Sequence, residues 1–280
     1  MTDVFADLHL HSSASDGELE PRELVRQAAR AGLRAMALTD HDTLAGIPDA
    51  LDEASGAGIE LIPGCELSAY MGEQELHILA LFINWRDDTS LKSLIETGRM
   101  KRPARVLEMG AKLRKLGISL SDDDITAAAA AANSPGRTHV ADALLKKGFV
   151  SSVSEAFQKY LNPGAAGYVP KLRFRPEEII AAIRDAGGVA ILAHPGHYPD
   201  FAAKSCDMMD GLEALHSSHS MAERSQFKTL ARQLGRLVSG GSDFHGPRIK
   251  PYIAIGCSGV NREDLELLRA KSNTRSNSVK

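Results

Sequence analysis

Cysteine is scarce in this chain of 280 residues. Cys65, Cys206 and Cys257 are three in number and far apart, too few for a disulfide framework or a Cys-based zinc site, and this suits a reducing cytosol. No apolar run approaches the roughly 18 residues of a membrane span. The opening MTDVFADLHL carries neither a basic stretch nor a long apolar core, so the expectation is a cytoplasmic protein without a membrane partner. Cations are not in excess: 33 Lys and Arg against 36 Asp and Glu give a formal charge of -3. That balance argues against a general electrostatic grip on nucleic acid and against duplex DNA as a partner. Any anionic ligand must therefore be held locally. Tryptophan occurs once, as Trp85, and with Met100, Met208 and Met209 it reads as a packing residue. No internal repeat is visible.

Histidine and acid are present in a pattern. An apolar run leads into "DLHLHSSASDGE", with His9 and His11 two residues apart. Side chains at i and i+2 of a strand share a face, so both imidazoles project to one spot and Asp16 can swing in from the loop. A single His-x-His is also compatible with two histidines that merely fall near a strand end. The remaining sequence weighs against coincidence. Short apolar runs alternate with helical patterns in the rhythm of βαβ units: "PRELVRQAARAG", "LRAMALTD", a helix over about 45–57, then "IELIPGCELSAY" and "ELHILALFI" joined at "MGEQ". "GGVAILAHP", "DGLEALH" and "GRLVSGGSDFH" each resemble a strand running into a polar loop.

The reading is an α/β barrel built from 1–87 and 176–270, interrupted by a mainly helical insertion, 88–175, that covers the active site. The Ala-rich "ITAAAAAAN" is read as a helix former within it, and the tail 271–280 as disordered. In a parallel barrel the C-terminal strand ends gather on one face, where active sites of such folds are built. His9, His11, Asp16, Asp40, His41, Glu66, His77, His194, Asp243 and His245 all fall at such ends. Imidazoles and carboxylates without thiolates fit Zn, Mn or Fe(II).

Four motifs in order, "HLH", "TDHD", "AHPG" and "DFH", with Glu66 and His77 interposed, resemble the PHP family, named for polymerase and histidinol phosphatase. The resemblance covers most of the chain outside the insertion. It implies a distorted (β/α)7 barrel with three divalent transition-metal ions at its C-terminal face, Mn first, with Zn or Fe as alternatives. Matched motif by motif, His9, His11, Glu66 and Asp243 would hold one ion, Glu66, His77 and His194 a second, and Asp16, His41 and His245 a third. The insertion, with "GRTHVADALL" and "YVPKLRFR", is similar to the subgroup acting on nucleoside 3',5'-bisphosphates and on the 5' ends of short RNA. The implied activity is a metal-dependent phosphoric ester hydrolase that removes the 3'-phosphate of such nucleotides. Its substrate is a nucleotide or short oligoribonucleotide, and no obligate protein partner is implied. A histidinol-phosphate-type phosphatase and a metal-dependent amide hydrolase are the alternatives. From another class comes a catalytically silent polymerase-associated module, which would have no reason to keep every ligand.

Several polar residues remain beside the ligands. Three metals in one cleft favour phosphate esters, because paired ions bind non-bridging oxygens, activate water and stabilise the leaving oxygen. A second phosphate needs its own cations, and Arg137 and His139 open a helix where backbone N–H groups also favour anions. The other reading of both is a solvated first helical turn. Lys171, in the alternating "KLRFR" with Arg173 and Arg175, is a further phosphate candidate or part of an edge protected by charge. His197 stands where the resembling subgroup carries Arg, so its phosphate contact differs. His219, and less so His216, can donate a proton to a leaving group or cap the next helix. Asp40 and Asp42 flank His41 and are expected to orient it, as Asp7 does for its own neighbours.

Overall fold

The computed structural model describes residues 4–129, 136–170 and 172–276. Two compact units divide the chain, residues 1–95 with 174–280 and residues 96–173.

In the first unit the strands are β1 (Ala6–Leu10), β2 (Ala35–Leu38), β3 (Glu60–Met71), β4 (Gln74–Leu81), β5 (Val189–Leu192), β6 (Gly211–His216) and β7 (Leu237–Gly241). They form one sheet in that order. The sheet nearly closes on itself: Leu10 bridges Phe244 in parallel, and the Asp243 N–H donates to His9 O at 2.9 Å. Helices Pro21–Arg30, Ile47–Ala57, Pro176–Asp185, Pro199–Met208, Met221–Gln233 and Arg262–Ser276 follow or join the strands. Each packs an apolar stripe inward, as Leu24, Val25 and Ala28 do from the first. Strands β1, β2 and β5 are buried along their whole length, as strands covered on both faces must be. A fully buried Leu or Ile such as Leu8 or Ile191 contributes about 1.5–3 kcal/mol.

Strand direction corrects one expectation. β4 runs antiparallel to both β3 and β5, whereas the other pairings are parallel. Two residues join β3 to β4, and a connection that short permits only a hairpin; Gly72 supplies the left-handed φ of +63° that the turn requires. His77 therefore reaches its place from the first half of β4, not from its end. The described part of the tail is a second difference; residues 277–280 lie outside the described residues. A helix continues through residues 271–276, because Ser272 Oγ donates to Gly187 O at 2.9 Å and Arg275 grips Asp210, so tertiary contacts stabilise a segment with little apolar periodicity.

The second unit is helical. It holds most of helix Ser90–Lys115, then Asp122–Ala129, Arg137–Lys146 and Val153–Ala156 running into a π turn, Phe157–Leu161. Met109, Leu113, Leu120, Ile125, Val140, Leu144 and Leu161 form its own core. Residues 130–133 of the Ala-rich run, with 134 and 135 after it, lie outside the described residues. Met100 is 70% exposed and so is not the packing residue expected, while Met209 is buried. Among the described residues no helix is long and apolar enough to cross a membrane.

Candidate active site

Glu66 stands at the centre of a histidine cluster. It sits in β3, fully buried, with His41 bridged to it across the break where β2 has ended. His9 Nε2 and His11 Nε2 each lie 3.2 Å from its Oε2, and His41 Nδ1 lies 3.3 Å from the same oxygen. Its other oxygen faces His77 Nδ1 at 2.9 Å and His194 Nε2 at 3.0 Å. Asp243 Oδ1 lies 3.6 Å from His9 Nε2, 3.4 Å from His11 Nε2 and 3.3 Å from His245 Nδ1. Asp16, more exposed than the rest, is 3.6 Å from His11 Nδ1, 3.7 Å from His41 Nε2 and 3.5 Å from His245 Nε2.

Backbone geometry brings these side chains together at some cost. Gly241 ends β7 against His9: a Cβ there would lie 2.3 Å from the His9 Cβ, so only glycine lets the strand and the imidazole occupy adjoining space. His194, Asp42 and Asp243 have φ of +28°, +49° and +56°, a region that costs non-glycine residues of order 1–3 kcal/mol and that clusters at functional sites.

The site favours cations. Burial alone would raise the Glu66 carboxyl, but the facing imidazoles of His41, His9 and His77 outweigh it, so Glu66 stays ionised well below the usual carboxylate range. Burial likewise opposes ionisation of Asp243, and His9 and His11 overcome it. Both ring nitrogens of His11, with His194 Nδ1 and His216 Nε2, are buried without a hydrogen-bond partner. An unsatisfied buried polar atom costs about 1–3 kcal/mol, and a shared cation would remove that cost. Four sets of donor atoms lie within 4.8 Å of one another: His11, Asp16, His41 and His245; His9, His216 and Asp243; His9, His11 and Glu66; His41, Glu66 and His77. All are nitrogen or oxygen donors, and they fit divalent metal ions. The expected ligands are thus brought together, with His194 placed at Glu66 rather than in any of those four sets.

Other expected residues stand elsewhere. The Asp40 carboxylate accepts from Ser12 N and Oγ at 2.8 and 2.7 Å and from Ser15 Oγ at 2.6 Å, and so fastens the loop after β1. His219 has both ring nitrogens engaged by backbone, Nδ1 with Ala214 O at 3.2 Å and Nε2 with Gly196 N at 3.1 Å. It braces the turn after His194, and burial pushes its imidazole below the ordinary histidine range. Asp7 accepts from the backbone N–H groups of His9, Ser242 and Gly256 and so joins β1 to the far end of the barrel. His197 stacks on His194 with ring centroids 4.5 Å apart. In the second unit, the Arg137 guanidinium lies over the rings of Phe157 and Tyr168, and His139 Nδ1 accepts from Gly136 N at 3.1 Å, capping its own helix. Lys171 lies outside the described residues.

Two neighbours of the cluster escaped the sequence reading. Glu213, buried in β6, contacts His9 Nδ1 at 3.0 Å; a lone acid inside the apolar run "GLEALH" was a readable signal. Lys250 Nζ donates to Asp243 Oδ2 from a loop that carries no such cue. His216 Nε2 lies 3.4 Å from that same oxygen.

A nearly closed β/α barrel with buried imidazoles and carboxylates converging at one place defines a class, the barrel hydrolases that work with divalent metals. The chain belongs to the PHP domain family, whose match spans residues 7–162. It is 35% identical over 252 residues to a 3',5'-nucleoside bisphosphate phosphatase of Chromobacterium violaceum, covering 86% of this chain and 87% of that protein. To the 5'-3' exoribonuclease Rnm of Salmonella typhimurium it is 36% identical over 264 residues, covering 90% of this chain and 88% of the other. Among solved structures, an amidohydrolase from Chromobacterium violaceum with bound sulfate and no metal superposes with a TM-score of 0.78 at 32% identity, covering 95% of this chain and 96% of that one.

Proposed function

We propose that this chain is a metal-dependent phosphoesterase that removes the 3'-phosphate of nucleoside 3',5'-bisphosphates, with the 5' ends of short RNA as further substrates. Glu66 carries the reading: one buried carboxylate faces imidazoles on both of its oxygens, His9, His11 and His41 on one and His77 and His194 on the other. Such a carboxylate can serve two cations at once, and paired cations can stabilise both the attacking and the leaving oxygen of a phosphate ester. The relatives' names, a bisphosphate phosphatase and an exoribonuclease, both describe cleavage at nucleotide phosphates and supply the substrate class.

We assign the site three ions, with manganese first, held as the motifs imply: His9, His11, Glu66 and Asp243; Glu66, His77 and His194; Asp16, His41 and His245. When bound, such ions supply positive charge to the phosphoryl oxygens and lower the pKa of water. The chain itself positions the donors. Lys250 donates to Asp243 Oδ2, leaving Oδ1 directed at the histidines, and Asp40 fixes the loop that carries Asp16. A cytoplasmic setting accords with three free cysteines, two of them buried.

The test is a substrate panel. Mn-loaded and Zn-loaded protein is incubated with 3',5'-adenosine bisphosphate, a 5'-phosphorylated oligoribonucleotide, histidinol phosphate and an N-acyl amide. The expected result is fastest phosphate release from the bisphosphate, leaving the 5'-monophosphate. Release from histidinol phosphate alone, or amide hydrolysis without phosphate release, overturns the proposal.

A further inference from the structure

Glu213 is fully buried in β6 and plays no part in the chemistry described above. Its Oε1 lies 3.0 Å and its Oε2 3.2 Å from His9 Nδ1, and Oε2 also accepts the backbone N–H of His194 at 2.8 Å. Those two histidines meet again at Glu66, His9 Nε2 on Oε2 at 3.2 Å and His194 Nε2 on Oε1 at 3.0 Å. Two carboxylates and two histidines thus close a ring, in which the imidazoles stack with centroids 5.9 Å apart at 23°. Glu66 is the half of the ring facing the other imidazoles, and Glu213 is the half behind.

We propose that Glu213 is the positioning residue of the metal site, fixing which nitrogen of His9 bears the proton and holding the strained backbone of His194, so that both ligands face Glu66. The inference rests on the metal-site reading above. A carboxylate can only accept. It therefore keeps the His9 proton on Nδ1 and leaves the Nε2 lone pair directed at Glu66 and Asp243, the arrangement a ligating imidazole requires. The same acceptor takes the N–H of His194, a residue at φ +28° that no strand ladder supports. Anchoring both ligands to one carboxylate aligns them together, and its charge makes the His9 imidazole a better donor to a cation.

Glu213→Gln separates this role from packing. The amide matches the carboxylate in size but presents an NH2 to one of its two donors. His9 then accepts that NH2 at Nδ1 and carries its proton on Nε2, facing the metal position. The measurement is Zn2+ affinity, by competition with a chromophoric chelator, with no substrate present. Glu213→Gln is expected to weaken the tightest sites by about tenfold to a hundredfold while circular dichroism is unchanged. In a His9→Ala background, the same substitution is expected to cost less than it does alone. Glu213→Asp, which keeps the acceptor, is expected to recover part of the loss.

An observation on the unaltered protein complements these variants. In 15N-histidine-labelled, Zn-loaded enzyme, the His9 signal, identified by its absence from His9→Gln, should show a protonated Nδ1 and a zinc-shifted Nε2. A protonated Nε2, or Glu213→Gln with unchanged Zn2+ affinity, overturns the inference. Absence of Zn2+ binding by the unaltered protein would instead overturn the metal-site reading on which it rests.

Discussion

Glu66 concentrates the argument at the scale of single residues. Glu66→Gln keeps the volume but removes the charge that allows two cations to sit close together, so kcat is expected to fall about a hundredfold or more. Circular dichroism should remain that of the parent, and near-normal turnover would place the bridge elsewhere. Arg137 poses a different question, because its guanidinium already has local company in Phe157 and Tyr168. On the assignment made from sequence, to a second phosphate, Arg137→Ala lowers kcat/KM on a 3',5'-bisphosphate by about tenfold to a hundredfold, the worth of a charge-assisted hydrogen bond. A substrate with one phosphate should lose much less. Equal kinetics on both would leave Arg137 a packing residue of its own unit.

Single residues also mark the limits of sequence reading. His9 and His11 were legible because strand periodicity alone directs them to one face. Asp40 and His219 show what it leaves out: chemistry-bearing types near a ligand also make good backbone clamps, and only coordinates reveal Ser12, Ser15, Ala214 and Gly196 as their partners. Glu213 was available to inspection, since a buried strand seldom carries an unpaired acid. Lys250 was not, because a lysine in a surface loop is ordinary.

Among the elements, helix Arg262–Ser276 shows how a weak pattern can be held by a strong anchor. Arg275 donates to both oxygens of Asp210, at 2.7 and 2.6 Å, and to Gly188 O at 2.7 Å, while Arg184 reaches Asp210 at 3.2 Å. Burial by itself would raise Asp210, yet the hydrogen bonds from Arg275 and Ala190 outweigh it and hold the carboxyl below its ordinary value. The sign follows: this contribution is present above the ordinary Asp pKa of about 3.9 and is lost as pH falls through the lower folded value. Arg275→Ala should destabilise the protein by about 1–3 kcal/mol at pH 7, since it removes a bidentate charged partner and leaves the buried carboxylate to Arg184 and the Ala190 N–H. Urea melts should show the gap between parent and variant narrowing in acid; a constant gap would mean the anchor is not ionic. The hairpin of β3 and β4 was legible element by element, but its effect on the direction from which His77 arrives was not, because pairing is a property of neighbours rather than of a segment.

At the scale of the whole molecule, the cation site should report on stability. Ions that bind only the folded chain add RT ln(1 + [M]/Kd), about 2.7 kcal/mol at a hundredfold excess over Kd. For a chain of this size that is about 5–10 °C in Tm. Chelation should therefore lower the thermal midpoint and abolish hydrolysis, and added Mn2+ should restore both. Gently purified protein should carry between two and three ions per chain if the three-ion assignment proposed above holds. Elemental analysis free of metal, with turnover indifferent to chelator, would remove the assignment.

The barrel closes where β1 meets the segment after β7, and the Ser242 N–H donates to Asp7 across a separation of 235 residues. His9 and His11 belong to the first side of that seam and Asp243 and His245 to the second. A ribosome delivers the first pair long before the last, so a growing chain lacks Asp243 and His245 throughout most of its synthesis. Contacts so distant in sequence form late and slowly. On the three-ion assignment proposed above, a chain truncated before Asp243 would lack one donor from each of two ion positions, however well its earlier strands have folded.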